Sequence, residues 1–278
     1  MRISKRLHKA GPHLHAILIA ALLAGVILSA WPGGVGRAST TIVVNSFQDS
    51  VNNDGFCTLR EAIISANKDQ TSGRRKNECP AGSGVDAIQL EAGTYVLTRT
   101  DSGQEDSALT GDLDIATNLT IIGAGAGKTI IQAQAFSDRV FHILSGSVTL
   151  QGLTITGGNS SSNGGGILNL SNLTLVDVEI KGNNAGSSGG GVANAGSSLT
   201  IDKSTISSNA AGTGGGIHNG AASQLAVTNS TISGNNAANG GGISNELNTA
   251  GTSQVSLLNV TVSGNTASSA GGGLDNAG

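Results

Sequence analysis

Residues 164–169 read Gly-Gly-Gly-Ile-Leu-Asn, and this six-residue frame returns four times further along the chain. It recurs at 189–194, 214–219, 240–245 and 271–276, so the spacing is nearly constant until a longer last interval. Each copy has three glycines, one aliphatic residue and a closing asparagine, namely Asn169, Asn194, Asn219, Asn245 and Asn276. A frame that keeps one period over this length predicts a solenoid of stacked repeats.

Two columns of aliphatic residues keep almost the same period. They are Leu150, Leu175, Ile201, Val227 and Leu257, followed by Ile155, Ile180, Ile206, Ile232 and Val262. Around them apolar and polar residues alternate, which predicts short β-strands and argues against helices. Strands that repeat in this way stack on their equivalents about 4.8 Å apart. The predicted fold is therefore all-β, a parallel β-helix with about 25 residues per coil.

The composition fits a narrow solenoid. The 278 residues include 43 glycines but only 2% aromatic residues, and the absence of a Gly-X-Y period excludes collagen. We expect the glycines to form corners with positive φ, and the asparagine side chains to stack as a ladder of amides between coils. A net charge of −3 gives no reason to expect nucleic acid as a partner.

The chain divides into three predicted segments. Residues 1–38 resemble a signal peptide, with a basic start, an apolar run over 16–30 and a cleavage site before Ser39; an uncleaved anchor is the alternative. Residues 39–110 form an N-terminal cap with the first irregular strands, and residues 111–278 form the repeats. Because the last repeat stops in mid-coil, we expect the natural protein to continue past Gly278, which its coding sequence would test.

The cap carries two cysteines and a helix signal. Cys57 and Cys79 would form a disulfide in an exported protein. Thr58 followed by Glu61 is a capping box, which predicts a short helix whose apolar face covers the open end of the core. The motif reads Thr58-Leu59-Arg60-Glu61-Ala62.

The stretch Cys57–Ile63 closely resembles the CSLREA-type motif of exported bacterial β-helix proteins, with threonine in place of its serine. The stretches 111–115 and 121–125 are also similar to that family, and the repeats are similar to those of polymorphic outer membrane proteins. The resemblance implies a right-handed β-helix of the pectin-lyase-like kind, secreted or displayed at the cell surface. It implies location and fold more firmly than an activity.

Acidic residues before the repeats are the candidates for metal binding. They are Asp101, Glu105, Asp106, Asp112 and Asp114. Asp112 and Asp114 would point the same way on a strand, and Ca²⁺ prefers several oxygen ligands. The alternative is a solvated loop, because no calcium loop of established spacing is present. We expect no other cofactor.

Catalytic residues are sparse in the repeats. Asp177 and Asp202 are one repeat apart and could stack, but their equivalents Asn229 and Asn259 indicate a turn position instead of a catalytic pair. His142 and His218 each lack an evident carboxylate partner. The glycine-rich stretch 123–129 is one residue too short for a phosphate-binding loop and predicts a turn.

These observations favour a secreted or cell-surface, adhesin-like scaffold. Its long face would present Asn, Ser and Thr ladders to extracellular polysaccharide or to cell-surface molecules, without catalysis. A polysaccharide lyase or hydrolase is the alternative, with the charged residues of 99–142 as the source of its active site. A passive surface spacer is the third hypothesis.

Overall fold

The structure is a computed structural model of the chain, and it describes residues 39–72, 78–100, 105–134, 138–196, 198–246 and 253–277. Contacts divide the chain into Met1–Gly36 and Arg37–Gly278, and all described residues belong to the second unit. The predicted signal peptide and Asp101 therefore lie outside the described residues. Within them, no helix is both long and apolar enough to cross a membrane.

The described residues form a parallel β-solenoid of about six turns, with one short helix among them. Equivalent positions in successive turns are about 26 residues apart in the sequence. The elements are β1 (Thr41–Val43), α1 (Leu59–Lys68), β2 (Asp86–Gln89), β3 (Gly93–Leu97), β4 (Leu113–Ile115), β5 (Leu119–Ile122), β6 (Thr129–Ala133), β7 (Phe141–Ile143), β8 (Ser147–Thr156), β9 (Asn159–Ser160), β10 (Ile167–Asn169), β11 (Asn172–Lys181), β12 (Asn184–Ala185), β13 (Val192–Asn194), β14 (Ser198–Asp202), β15 (Thr205–Ser207), β16 (Ile217–Asn219), β17 (Gln224–Thr228), β18 (Thr231–Ser233), β19 (Asn236–Asn239), β20 (Ile243–Glu246), β21 (Gln254–Leu258), β22 (Thr261–Ser263), β23 (Thr266–Ala270) and β24 (Leu274–Ala277).

The strands stack in two main sheets. The long sheet runs β1-β2-β5-β8-β11-β14-β17-β21, with β3 and β6 joined through β8, and β15, β18 and β22 joined through β11. The second sheet runs β4-β7-β10-β13-β16-β20-β24. Every pairing in both sheets is parallel, which confirms the predicted fold class.

The apolar columns meet in register inside the coils. In the long sheet Ile121 pairs with Leu150, and the column continues in order through the remaining coils. Its buried members are Ile121, Leu150, Leu175, Ile201 and Val227. Because branched aliphatic side chains fill this narrow interior, the core needs few aromatic rings. Burial of these columns is the main apolar contribution to stability.

The first coils follow a different register from the one that the glycine frame suggests. An alignment of residues 140–143 with residues 164–167 would equate Ile143 with Ile167, and the strand pairing rules this out. Phe141 pairs with Ile167, and Ile143 pairs with Asn169. A bulky buried ring thus takes the aliphatic position, and an isoleucine takes the asparagine position, so the amide ladder begins only at Asn169.

The glycines of each triplet meet two different constraints. The first glycine of every triplet has a positive φ, between 60° and 73°. In the first four triplets the second and third glycines have no room for a side chain. A Cβ added at Gly190 would lie 2.5 Å from the carbonyl oxygen of Gly215, and a Cβ added at Gly191 would lie 2.6 Å from that of Gly216. Positive φ therefore explains the first glycine of a triplet, and close backbone stacking explains the second and third.

Two buried asparagine ladders tie the coils together. In the predicted ladder, the Nδ2 of each asparagine donates to the Oδ1 of the next at 2.8–2.9 Å, from Asn169 to Asn276. A second ladder follows the second apolar column, and its members are Asn183, Asn209, Asn235 and Asn265. In the sequence this second ladder is marked by an aliphatic residue followed three positions later by an asparagine, as in Ile180 and Asn183.

The N-terminal cap has the predicted helix and disulfide. Thr58 accepts from the backbone N–H of Glu61 while the Glu61 carboxylate accepts from the N–H of Thr58, so the capping box is complete. Helix α1 packs against β2 and β4, the first described strand of the second sheet. Cys57 and Cys79 form a buried disulfide with Cα atoms 5.0 Å apart. The helix thereby covers apolar core that the first coil would otherwise expose.

The second asparagine ladder should be a major source of stability. We expect Asn209→Ala to lower the free energy of unfolding by about 2–4 kcal/mol, because it removes the side chain that accepts from the buried N–H of Asn183 and donates to the carbonyl of Ile180. Guanidinium denaturation measures this change. Asn184→Ala, in an exposed ladder, is the control and should change the value by less than about 0.5 kcal/mol. Equal effects of the two variants would contradict the argument.

Candidate functional site

The outward face of the long sheet carries two columns of uncharged polar residues. One column runs Thr120, Thr149, Thr174, Thr200, Ala226 and Ser256. Beside it, Ser198, Gln224 and Gln254 stack in register. These side chains point away from the core because the neighbouring positions of each strand hold the buried column. Hydroxyl and amide groups thus repeat at every coil, about 4.8 Å apart.

A shallow groove of about 490 Å³ lies on this face. It centres on Ala226, whose small side chain stands between Thr200 and Ser256 and leaves a depression in the column. Its lining residues are Ser198, Thr200, Gln224, Leu225, Ala226, Gln254, Val255 and Ser256. The hydroxyl and amide side chains of the lining offer hydrogen-bond donors and acceptors, and none of the lining residues carries a charge.

The predicted asparagine ladder is buried except at its last member, Asn276. Asn169, Asn194 and Asn219 are 0% exposed, and their amides bind one another and backbone carbonyls. Such groups hold the coils together and are not free to contact a partner. The residues available for contact are the serine, threonine and glutamine side chains of the long sheet.

The cap motif positions a loop through a buried arginine. Arg60 is 1% exposed and forms an ion pair with Asp49 at 2.6 Å. Its guanidinium also donates to the backbone carbonyls of Ala108, Gly111 and Asp112. The capping box fixes the start of the helix, and Arg60 in its first turn fixes the segment that leads into β4. No pattern in the sequence indicates this second role.

The charged residues before the repeats form a compact cluster with two parts. In the first part Asp112 accepts a hydrogen bond of 2.9 Å from Arg139. Burial raises the pKa of Asp112 to about 8, and the nearby carboxylates of Asp114 and Asp138 add to this effect. Asp112 is thus engaged with Arg139 and is not free as a metal ligand.

The second part brings Asp114 and Asp106 to His142. The Nδ1 atom of His142 lies 3.3 Å from Asp114 Oδ1 and 3.6 Å from Asp106 Oδ1. Burial also raises the pKa of Asp114. The expectation that His142 lacks a carboxylate partner is therefore wrong, because the chain returns from β4 to β7 with these residues on adjacent strands.

His218 has a carboxylate neighbour as well. Its Nε2 lies 3.4 Å from Glu246 Oε2, in a pocket of about 300 Å³ that also includes Ser244 and Asp275. Burial lowers the pKa of His218, which the nearby Glu246 carboxylate partly opposes. Neither carboxylate partner is close in sequence to its histidine, so only the stacking of coils reveals them.

The proposed stacking of Asp177 on Asp202 is wrong by one residue. Val176, not Asp177, pairs with Asp202, because the coil from β11 to β14 is one residue longer than the interval between the two aspartates. Asp177, Asn229 and Asn259 share a left-handed backbone with φ of 50–55°, as befits a turn position. Asp202 instead accepts hydrogen bonds from Thr228 and Asn229.

The glycine-rich stretch 123–129 forms the predicted turn. The N–H groups of Lys128 and Thr129 donate to the carbonyl of Gly125, and strand β6 begins at Thr129. A phosphate-binding loop requires a helix at this point. The stretch is therefore a turn within one coil that joins β5 to β6, and both of these strands pair with β8 of the next coil.

Comparisons with known proteins give no family and no relative. No protein-family model matches the sequence, and neither the curated proteins nor the solved structures include a significant match. What the structure defines is a class, the parallel β-solenoids.

The raised pKa of Asp112 predicts a pH dependence of stability. Between about pH 4 and pH 8 the folded protein holds a proton that the unfolded chain releases, so the free energy of unfolding falls as pH rises through this range. Asp112→Asn should make that fall less steep, by up to about 1.4 kcal/mol per pH unit. Urea denaturation at several pH values measures the slope.

Asp54→Asn, which changes an exposed carboxylate of the cap, is the control and should leave the slope unchanged. A slope that is the same in wild type and Asp112→Asn would show that Asp112 has a similar pKa in both states.

Proposed function

We propose that this protein is an exported scaffold that binds an uncharged extracellular polymer, such as a neutral polysaccharide, along its long sheet. The observation that carries the proposal is the pair of uncharged columns in register around the groove at Ala226. Adhesin-like binding of this kind needs repeated contacts and no reacting group.

The chemistry of the face supports a hydroxyl-rich ligand. Glutamine amides and serine or threonine hydroxyls both donate and accept hydrogen bonds, as sugar hydroxyls do. Because the same groups return at each coil, a linear polymer can meet several of them at once, and weak single contacts add up along the chain. The absence of charge from the groove's lining residues favours a neutral polymer over an acidic one.

Export is a further part of the proposal. The resemblance of Cys57–Ile63 to the CSLREA-type motif, and the disulfide between Cys57 and Cys79, support a bacterial protein that acts outside the cytosol. Expressed from its own start codon in a bacterial host, the protein should appear in the medium or envelope with Ser39 as its first residue. N-terminal sequencing measures this, and cytoplasmic protein that retains residues 1–38 would contradict it.

A polysaccharide-active enzyme on the same fold is the second candidate. Carboxyl groups with raised pKa are typical of acid–base catalysts, and Asp112 and Asp114 have such values beside Arg139 and His142. In this case the purified protein would release unsaturated or reducing sugar ends from its substrate. A passive spacer would neither bind nor cleave.

Binding can be tested with one substitution in the groove. Ala226→Arg places a long charged side chain in the depression and should weaken binding to immobilised neutral polysaccharides by about tenfold or more. Asn236 is an exposed residue of the same coil, on β19 of a separate two-stranded sheet outside the groove, and Asn236→Arg is the matched control. A panel of neutral and acidic polysaccharides, read by biolayer interferometry, measures both variants.

Three outcomes separate the hypotheses. Binding that is lost in Ala226→Arg and kept in Asn236→Arg supports the scaffold. Binding that both variants retain would place the contact elsewhere and contradict the proposal. New sugar ends, detected by absorbance or by a reducing-end assay, would support the enzyme instead.

A further inference from the structure

One cluster of side chains lies outside the proposed binding face and has no role in it. Asp114 at the centre of β4 and His142 at the centre of β7 are register neighbours in the second sheet. Asp106 reaches them from the loop before β4. One carboxylate or imidazole atom from each of the three lies within 4.8 Å of the others.

Asp114 is an unusual residue to find buried in this position. Its carboxylate is 0% exposed, and Oδ2 accepts from the N–H of Ala108. Its Oδ1 faces Nδ1 of His142 at 3.3 Å, without the geometry of a hydrogen bond, and it also faces Asp106. A buried carboxylate oxygen without a partner is costly, so its persistence in the fold suggests a ligand that the protein chain itself does not supply.

The local balance of charge points to a cation. Asp112 is paired with Arg139, and Asp49 is paired with Arg60, so these carboxylates are compensated. Asp106 and Asp114 face only His142 among the described cationic groups that form ion pairs. Glu105, which also lies near Asp114, accepts from the backbone N–H groups of its own loop.

The separations match the edges of a metal-coordination polyhedron. Ligand bonds of about 2.0–2.2 Å in a tetrahedral zinc site place the ligand atoms about 3.3–3.6 Å apart. The separations from His142 Nδ1 are 3.3 Å to Asp114 and 3.6 Å to Asp106. A charge-assisted hydrogen bond between these groups would be shorter than either separation.

We propose that Asp106, Asp114 and His142 bind a divalent transition-metal ion of the zinc class. An imidazole nitrogen suits such ions, whereas Ca²⁺ and Mg²⁺ prefer oxygen ligands alone. This changes the ligand set expected from the sequence, since Asp112 gives way to His142. The side chain of Asp106 is 66% exposed, so a fourth position on that side is open to water. The ion would join the loop before β4 to the first coils.

Metal titration of the whole chain tests the proposal. After chelator treatment, ZnCl₂ is added in a calorimeter, and CoCl₂ is added while the visible bands of tetrahedral Co²⁺ are recorded. We expect His142→Ala to reduce the zinc stoichiometry by one ion relative to wild type. Any sites at histidines elsewhere in the chain would stay in both proteins and so cancel in the comparison.

Two further variants keep the test independent of folding. Asp106→Asn alters an exposed side chain, so the melting temperature of the metal-free protein should not change, while zinc affinity at this site should fall by about 10–100-fold or more. His218→Ala removes the other described histidine that has a carboxylate neighbour and should keep full zinc stoichiometry. Zinc binding that is unchanged in His142→Ala and Asp106→Asn, or absent from wild type, would overturn the proposal.

Discussion

The structure depends on hydrogen bonds that run from each coil to the next in strict parallel register. Backbone groups make most of them, and the two buried asparagine ladders extend the same pattern to side chains. Each amide in a ladder is both donor and acceptor, so a coil that shifts by one residue leaves groups unpaired in two neighbours. Register is therefore fixed along the stack and not only within a strand pair.

This constraint explains the unusual composition. Coils that stack at backbone distance leave no space for a Cβ at Gly191, and the interior between them is too narrow for many rings. Phe141 stands in the early coils, where the glycine frame has not yet begun. The wealth of glycine is thus a packing requirement of the fold. It does not indicate a loose chain, since the described triplets are bonded to the coils beside them.

The end of the stack has a different chemistry. At the N-terminal end the apolar interior meets helix α1. The segment that leads into β4 is held by Arg60 and by charged side chains that are largely buried. Buried ions require partners, and Arg60 and Asp49 supply them for each other, while Arg139 donates a hydrogen bond to Asp112. Buried charged side chains and the structural cover therefore coincide in the first coils, whereas the groove on the later coils is lined by uncharged residues.

The sequence by itself determined the period, the strands, the capping box and the parallel stacking, because each depends on local patterns that repeat. It did not determine that the asparagine ladders face inwards, nor that a coil one residue longer pairs Asp202 with Val176. Only the tertiary structure decided these points and brought Asp106 and Asp114 to His142. The physical reason is that the pairing of residues across coils depends on the summed lengths of the repeats and on the paths of the loops. A difference of one residue therefore pairs a residue with the neighbour of its expected partner.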